Sequence, residues 1–229
     1  MKIQQNALEI HFANLTYTAK RTPLLPCSRA EEFKILKNCT GHVASGELLL
    51  IMGSSGSGKT TLLKTLSQRF VDATVEGALF YQIDDDVVGA ANPGVGDYIR
   101  RNIAFVRQET ELIAGLTAYE TMVYYYTLMV APQTKTEREN LDMIMGTLKF
   151  IGLNNHAHKF VDEMSGGQQR RLQIGTRLLD TPNALFLDEP TAGLDGTTSL
   201  KIMYVLQSIT EIYDIPVVAS IHRPRQEVV

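Results

Sequence analysis

The stretch LLLIMGSSGSGKTTLLKTL, residues 48–66, decides how the rest of this chain is read. Leu48 to Met52 form an apolar run without a polar break, which is the pattern of a strand buried on both faces. The residues from Thr60 to Phe70, TTLLKTLSQRF, read as a helix. Between them Gly53, Gly58, Lys59 and Thr60 satisfy G-x-x-x-x-G-K-[ST]. The chemistry needs this spacing. Glycines let the backbone curl until several N–H groups face one anion, and the helix that follows adds its positive end. Ser54, Ser55, Gly56, Ser57 and Thr61 complete the cradle. Lys59 is spaced to reach the β- and γ-phosphates of a nucleotide, and the Thr60 hydroxyl to ligate Mg²⁺. A flexible Gly/Ser turn shares this composition, but not this place between an apolar strand and a helix.

Further apolar runs alternate with helical stretches. NIAFV (102–106), ALFLD (184–188) and PVVAS (216–220) read as buried strands. TAYETMVYYYTLMV, TEREN-LDMIMGTLKFIGL, SGGQQRRLQIGTRLLD and LKIMYVLQSITEI read as helices, with Leu172, Thr176 and Leu179 on one face of the third. That alternation predicts a parallel α/β sheet. Residues 7–18 read as a further strand, and residues 20–32, with two prolines, as a surface loop. Residues 84–97, acidic and rich in Gly and Pro, read as a second loop. A helical block at 109–164 is expected to be a second lobe inserted in one domain of residues 1–229. The catalytic core lobe then spans about 1–108 and 165–229.

Two acids follow the strand ALFLD. Asp188 is placed to hold Mg²⁺, directly or through water, and Glu189 to orient or deprotonate an attacking water. Ligands bind at the carboxyl ends of parallel strands, so adjacent positions there can divide the two roles. Alone, Asp-Glu-Pro after a strand is an ordinary loop start; a P-loop upstream changes its meaning.

Bulk properties narrow the class. With 44% apolar and 21% charged residues the chain is a globular protein with a sizeable core. A net charge of −3 gives no case for nucleic-acid binding. The five histidines and two cysteines show no zinc-ligand spacing. Cys27 and Cys39 are expected to be reduced thiols. No run approaches the ~18 apolar residues of a membrane span.

With these motifs in order, the chain resembles the nucleotide-binding domain of ABC transporters over nearly its whole length. Gln108 after NIAFV matches the family's Q-loop glutamine, and it is then a ligand of Mg²⁺ or of the water and a sensor of the membrane partner. Ser165, Gly166, Gly167 and Gln168 in MSGGQQRR match the signature. Asp195 in AGLD matches the D-loop, and His222, 33 residues after Glu189, the switch histidine. The resemblance implies a RecA-like P-loop core, an N-terminal antiparallel β subdomain and an inserted α-helical subdomain. It implies an ATPase with ATP and Mg²⁺ as cofactors and Lys59, Gln108, Glu189 and His222 as catalytic residues. It also implies that the signature acts on ATP held by a second nucleotide-binding domain, so that two domains sandwich two nucleotides head to tail. Each motif has a plainer reading: Ser165 and Asp195 as helix N-caps, Gln108 as a surface residue, His222 as a core histidine. Tyr17, at the end of the first strand, is the candidate to stack on adenine, or else simply packs in its strand.

GELLLIMGSSGSGKTTLL, FVRQETELIAGLTAYET and SIHRPRQEVV resemble the G (White) subfamily, although its usual H-Q-P-R is His222-Arg223-Pro224-Arg225 here and its SGGERKR is SGGQQRR. The expected role is the motor of a membrane transporter at the cytosolic face of a membrane, its membrane domain C-terminal in a longer chain, the alternative being a stand-alone subunit that recruits a separate membrane chain. A soluble cassette acting on ribosomes or nucleic acid fits less well, since only 56 residues and no coiled coil separate Gln108 from Ser165. A regulatory module that binds ATP without hydrolysing it would lack Glu189 or Lys59, and both are present.

Overall fold

The structure, a computed structural model, describes residues 7–21, 31–70, 73–130 and 136–222. The chain begins β1 (Leu8–Arg21), β2 (Glu31–Val43), β3 (Leu48–Met52), α1 (Lys59–Leu66), β4 (Ala73–Ile83), β5 (Asp86–Gly89), α2 (Val95–Asn102) and β6 (Ile103–Val106). It continues α3 (Ala118–Tyr125), a π-helical turn (Tyr126–Val130), α4 (Glu137–Phe150), α5 (Gly166–Leu178), β7 (Ala184–Leu187), α6 (Gly196–Tyr213) and β8 (Val217–Ile221).

Two sheets form. The antiparallel one runs β2-β1-β4-β5 and the other runs β3-β8-β7-β6, all parallel. The apolar sequence of β7, and of β8 apart from Ser220, goes with burial of every residue in both strands. On one side of the parallel sheet, Phe186 and Val218 join a core with Leu63 and Leu66 of α1 and the inner face of the antiparallel sheet, from Ile10 to Tyr81. On the other, Leu185, Leu187 and Val217 pack against Ile202, Leu206 and Ile209 of α6. A third core, built from Met122, Leu148, Ile151 and Leu172, holds α3, α4 and α5 together.

Three local expectations are corrected. Lys20 and Arg21 lie in β1 and Glu31 and Glu32 in β2, because the strands pair on through Lys20↔Glu32 and Arg21↔Glu31. The rest of the expected loop, including Cys27, falls outside the described residues. The stretch 84–97 is not all loop: Asp86–Gly89 pairs with Phe80–Ile83, and α2 starts at Val95 after Gly94. The helix expected over 60–70 ends at Leu66, where the Ser67 hydroxyl donates to the Leu63 carbonyl at 2.8 Å and stops the turn. Cys39 is a free thiol in β2.

Both helices of the inserted region begin in a capping box. Thr117 and Glu120 close α3, and Thr136 and Glu139 close α4. Hydrogen bonds from the Thr117 backbone and hydroxyl hold the Glu120 carboxyl below the usual carboxylate range. A carboxyl lowered by folding stabilises above its unfolded pKa and loses that contribution as pH falls through the folded one. Thr117→Ala is therefore expected to lower Tm by roughly 2–4 °C near neutral pH, the effect of losing one N-cap in a domain of this size. Differential scanning calorimetry at pH 7 and in acid checks both the size and its shrinkage in acid.

Candidate functional site

The parallel register brings the motifs to one edge. Met52 pairs with Ile221, Leu187 with Ala219 and Val106 with Leu187. One residue beyond these pairs, Gly53 leaves β3 beside His222 leaving β8, and Asp188 stands level with Ser220. Two residues beyond, Gln108 and Glu189 leave β6 and β7 together. The four strands thus bring these positions to the carboxyl ends of one sheet.

The loop 53–60 closes onto α1 through Gly58, whose φ of 94° suits glycine and whose absent Cβ leaves room for Leu36 at 3.0 Å. Ser54 to Ser57 are exposed, and the Ser57 N–H donates to the Ser54 carbonyl at 3.3 Å across the loop. Lys59 is buried. Its Nζ donates to the carbonyls of Gly53 at 3.1 Å and Ser54 at 3.0 Å, and lies 3.5 Å from Glu189 Oε1. The Thr60 hydroxyl donates to Asp188 Oδ2 at 2.7 Å. Thr61 lies in the first turn of α1, and its carbonyl accepts from the Thr65 hydroxyl at 2.8 Å.

Ser220 is a functional residue that reading the sequence missed. It is fully buried, its hydroxyl donates to Asp188 Oδ1 at 2.7 Å, and the same oxygen accepts from the Glu189 amide at 2.9 Å. It orients both carboxylate-bearing residues at once. A hydroxyl at the end of PVVAS, otherwise apolar, was the available signal. Removing one such bond beside a buried carboxylate costs about 1–2 kcal/mol. Ser220→Ala is thus expected to lower kcat for nucleotide hydrolysis roughly 5- to 30-fold, with nucleotide affinity little changed. Steady-state kinetics and a binding titration separate the two; an unchanged kcat would discard the role.

A Thr hydroxyl and a carboxylate oxygen 2.7 Å apart are hard oxygen donors. Among the described residues no cluster of three His, Cys, Asp or Glu could hold a metal. That combination suits a cation held partly by protein and partly by phosphate oxygens and water, the habit of Mg²⁺. Glu189 has φ 47°, a left-handed conformation rare outside glycine that re-aims its side chain toward Lys59.

The signature lies elsewhere. Ser165 and Gln168 bond each other in a capping box at the start of α5, and Ser165 and Gly166 are exposed. Gly167 is where α5 meets α6: a Cβ there would sit 2.1 Å from Thr198 Cγ2. Asp195 caps α6, accepting from the Thr198 amide at 2.9 Å, and bonding to Thr198 lowers its pKa. Signature and D-loop positions meet at Gly166, where a Cβ would sit 3.3 Å from Leu194 Cδ2. The plainer reading of Ser165 and Asp195 as N-caps is realised. Exposure of the Ser165 edge leaves it open to a partner as well. Tyr17 is 8% exposed and its ring meets Phe70 edge-on at 6.3 Å, the packing within its strand that the plainer reading of this residue expects.

Reading the sequence also missed Arg170 and Gln173. Both are buried, and they bond the carbonyls of Arg107, Gln108 and Glu109. Their signal was a polar stripe at 170, 173 and 177 on a helix. Beside them a cleft of about 530 Å³ is lined by Arg69, Arg100, Arg101, Arg107 and Arg177 with Glu111. Burial, then neighbouring Arg177, Arg100 and Arg107, push the Arg69 pKa down.

Residues 36–192 match the family described as ABC transporter. The chain belongs to that family. Relatives include ABC transporter G family members 4 and 22 of Dictyostelium discoideum, 35% and 34% identical over 89% and 94% of the chain. ABC transporter G family member 22 of Arabidopsis thaliana is 32% identical over 94%. The G-subfamily resemblance is borne out by these relatives. The chain spans only 26–35% of the length of these three proteins. Among solved structures, the ATP-binding cassette MJ0796 in its dimeric post-hydrolysis state bound to ADP and Pi superposes with a TM-score of 0.70. It is 30% identical over 93% of this chain and 88% of that one. CbiO1 from Clostridium perfringens, part of the cbiONQ complex, has a TM-score of 0.73 at 23% identity, over 93% and 78%, which bears on the fold. The expected fold, a parallel P-loop core with an antiparallel sheet and helices, is borne out by these neighbours and by the two sheets.

Proposed function

We propose that this chain binds ATP with Mg²⁺ across residues 53–61 and Asp188, hydrolyses it, and works as one half of a head-to-tail pair that powers a membrane transporter. The observation that carries this reading is the bonded set Thr60–Asp188–Ser220–Glu189–Lys59 at the carboxyl ends of β3, β7 and β8. The phosphate loop and α1 supply N–H groups and positive potential, and Lys59 supplies charge. Thr60 and Asp188 would hold Mg²⁺, which when bound neutralises phosphate charge. Glu189 takes or orients a proton of the attacking water. The water oxygen bonds to the γ-phosphorus, the bond from that phosphorus to the bridging oxygen breaks, and ADP and phosphate leave. Gln108 and His222 leave the sheet on either side of this point, which supports their roles in placing the water.

Ser165 to Gln168 complete the partner's site in this reading. The dimeric state of the MJ0796 cassette supports pairing. Among the described residues no helix is long and apolar enough to cross a membrane. The transport step therefore needs a membrane domain, which we place C-terminally in the same polypeptide, as part of a transporter whose ATPase faces the cytosol. The arginine-lined cleft beside Gln108 suits an acidic segment of that domain. Sedimentation velocity with and without ATP-Mg²⁺, alongside phosphate release, tests the core of this reading. ATP-dependent dimers and turnover are expected; neither appearing would refute it.

A further inference from the structure

We propose that Arg170 is a positioning residue that makes Gln108 move with the signature helix α5 rather than with the sheet, an inference that rests on the roles of Gln108 and Ser165 given above. Three successive carbonyls after β6 are all held by that helix. Arg170 donates to the Arg107 carbonyl at 2.7 Å and to that of Gln108, and Gln173 Nε2 donates to the Glu109 carbonyl at 2.9 Å. The Gln173 amide oxygen in turn accepts from Arg170 at 2.8 Å, so the two side chains lock each other. One turn further on, Arg177 pairs with Glu111 at 2.8 Å, and Glu111 pairs back to Arg107 at 3.2 Å. Residues 170, 173 and 177 lie on one helical face, and Arg170 and Gln173 are 6% and 2% exposed.

The mechanical consequence follows from what holds each carbonyl. Up to Val106 the chain is fixed to β7 by the sheet ladder. From Arg107 it is held by the N-terminal half of α5, whose end at Ser165 is exposed, whereas the C-terminal half packs on the sheet through Ile174 and Leu178. Asp188 and Glu189 stay with β7 and β8 through Ser220. If α5 turns to carry Ser165 toward a partner's nucleotide, residues 107–109 turn with it, and Gln108 shifts against Asp188 and Glu189. Closure of the pair is thereby read at Gln108 within the same chain. A planar guanidinium serves two carbonyls at once, whereas an ammonium is a point charge, so Lys replaces Arg only in part.

The test uses the full chain with Arg170→Met, Arg170→Lys, Gln108→Ala, the double variant Gln108→Ala/Arg170→Met, and Leu148→Ala as a control that loosens the helical core away from the clamp. The first readout is limited trypsin digestion without nucleotide. With the carbonyls of residues 107 and 108 released, Arg170→Met should speed cleavage after Arg107 roughly tenfold or more. The second is the Mg²⁺ concentration for half-maximal ATP hydrolysis. It should rise several-fold in Arg170→Met and in Gln108→Ala, no further in the double variant, and recover partly in Arg170→Lys. If Leu148→Ala reproduces both changes, Arg170 is merely structural and the inference is overturned. A Mg²⁺ shift in Gln108→Ala with none in Arg170→Met overturns the clamp alone. No shift in Gln108→Ala overturns the role of Gln108 and the clamp's purpose with it.

Discussion

Glu189→Gln is expected to bind ATP as well as the parent chain, to lower turnover by about 10²–10⁴-fold, and to accumulate an ATP-bound dimer. The size follows from removing the one carboxylate placed to take a proton from water while keeping its shape. The geometry should survive. Glu189 is oriented by its backbone, through φ 47° and the amide bond to Ser220, and neither depends on the side-chain charge. Affinity should survive too. Glu189 Oε1 lies 3.5 Å from Lys59 Nζ and competes with phosphate for the same ammonium, so a neutral amide there leaves Lys59 freer. With hydrolysis blocked, the pair has no exit from the closed state except nucleotide release. Sedimentation velocity at saturating ATP-Mg²⁺ should show a dimer that the parent chain forms only transiently. Hydrolysis at the parent rate would remove Glu189 from the chemistry.

The difference between this variant and Ser220→Ala shows what the sequence could and could not disclose. Glu189 was legible because its chemistry is written in a fixed order: apolar strand, Asp, Glu, with a P-loop upstream. Ser220 was not, because its meaning depends on register. Only when β7 and β8 pair Leu187 with Ala219 does its hydroxyl fall between Asp188 and the Glu189 amide. The parallel sheet and the helices other than α2 were legible for a similar reason: hydrophobic periodicity is local. β2, β4 and β5 were hidden because antiparallel strands covered on one face carry little period of their own. The loop read at 84–97 failed there, where pairing with β4 overrides a poor strand composition. Tyr17 was ambiguous for want of a neighbour. An aromatic on a strand can stack on a base or fill a core, and its burial and contact with Phe70 fit the core. Arg170 and Gln173 left a trace as a polar stripe, yet their partners are backbone carbonyls more than 60 residues away, which no local pattern reveals.

Lys59→Ala tests the other half of the site, and its effect should fall on binding instead of turnover. Lys59 does two things that alanine cannot. It ties the loop by donating to the carbonyls of Gly53 and Ser54, and it brings a buried positive charge to where the β- and γ-phosphates are expected. Hydrogen bonds to charged groups contribute about 1.5–3 kcal/mol each, so losing contact with two phosphates should weaken ATP binding roughly 10²-fold or more. A second effect adds to this. Without the ammonium, the Glu189 carboxylate, 18% exposed, faces the nucleotide with no counter-charge and repels it. ADP, with one fewer phosphate at this position, should lose less affinity than ATP, and that asymmetry separates a lost phosphate contact from a collapsed loop. Lys59→Arg should restore little, because a planar guanidinium cannot replace a compact ammonium among these closely spaced acceptors. Calorimetric titrations of both nucleotides, with thermal unfolding as the check on folding, give the answer. Equal losses for ATP and ADP would assign Lys59 to the loop alone, and unchanged ATP affinity would remove it from the site.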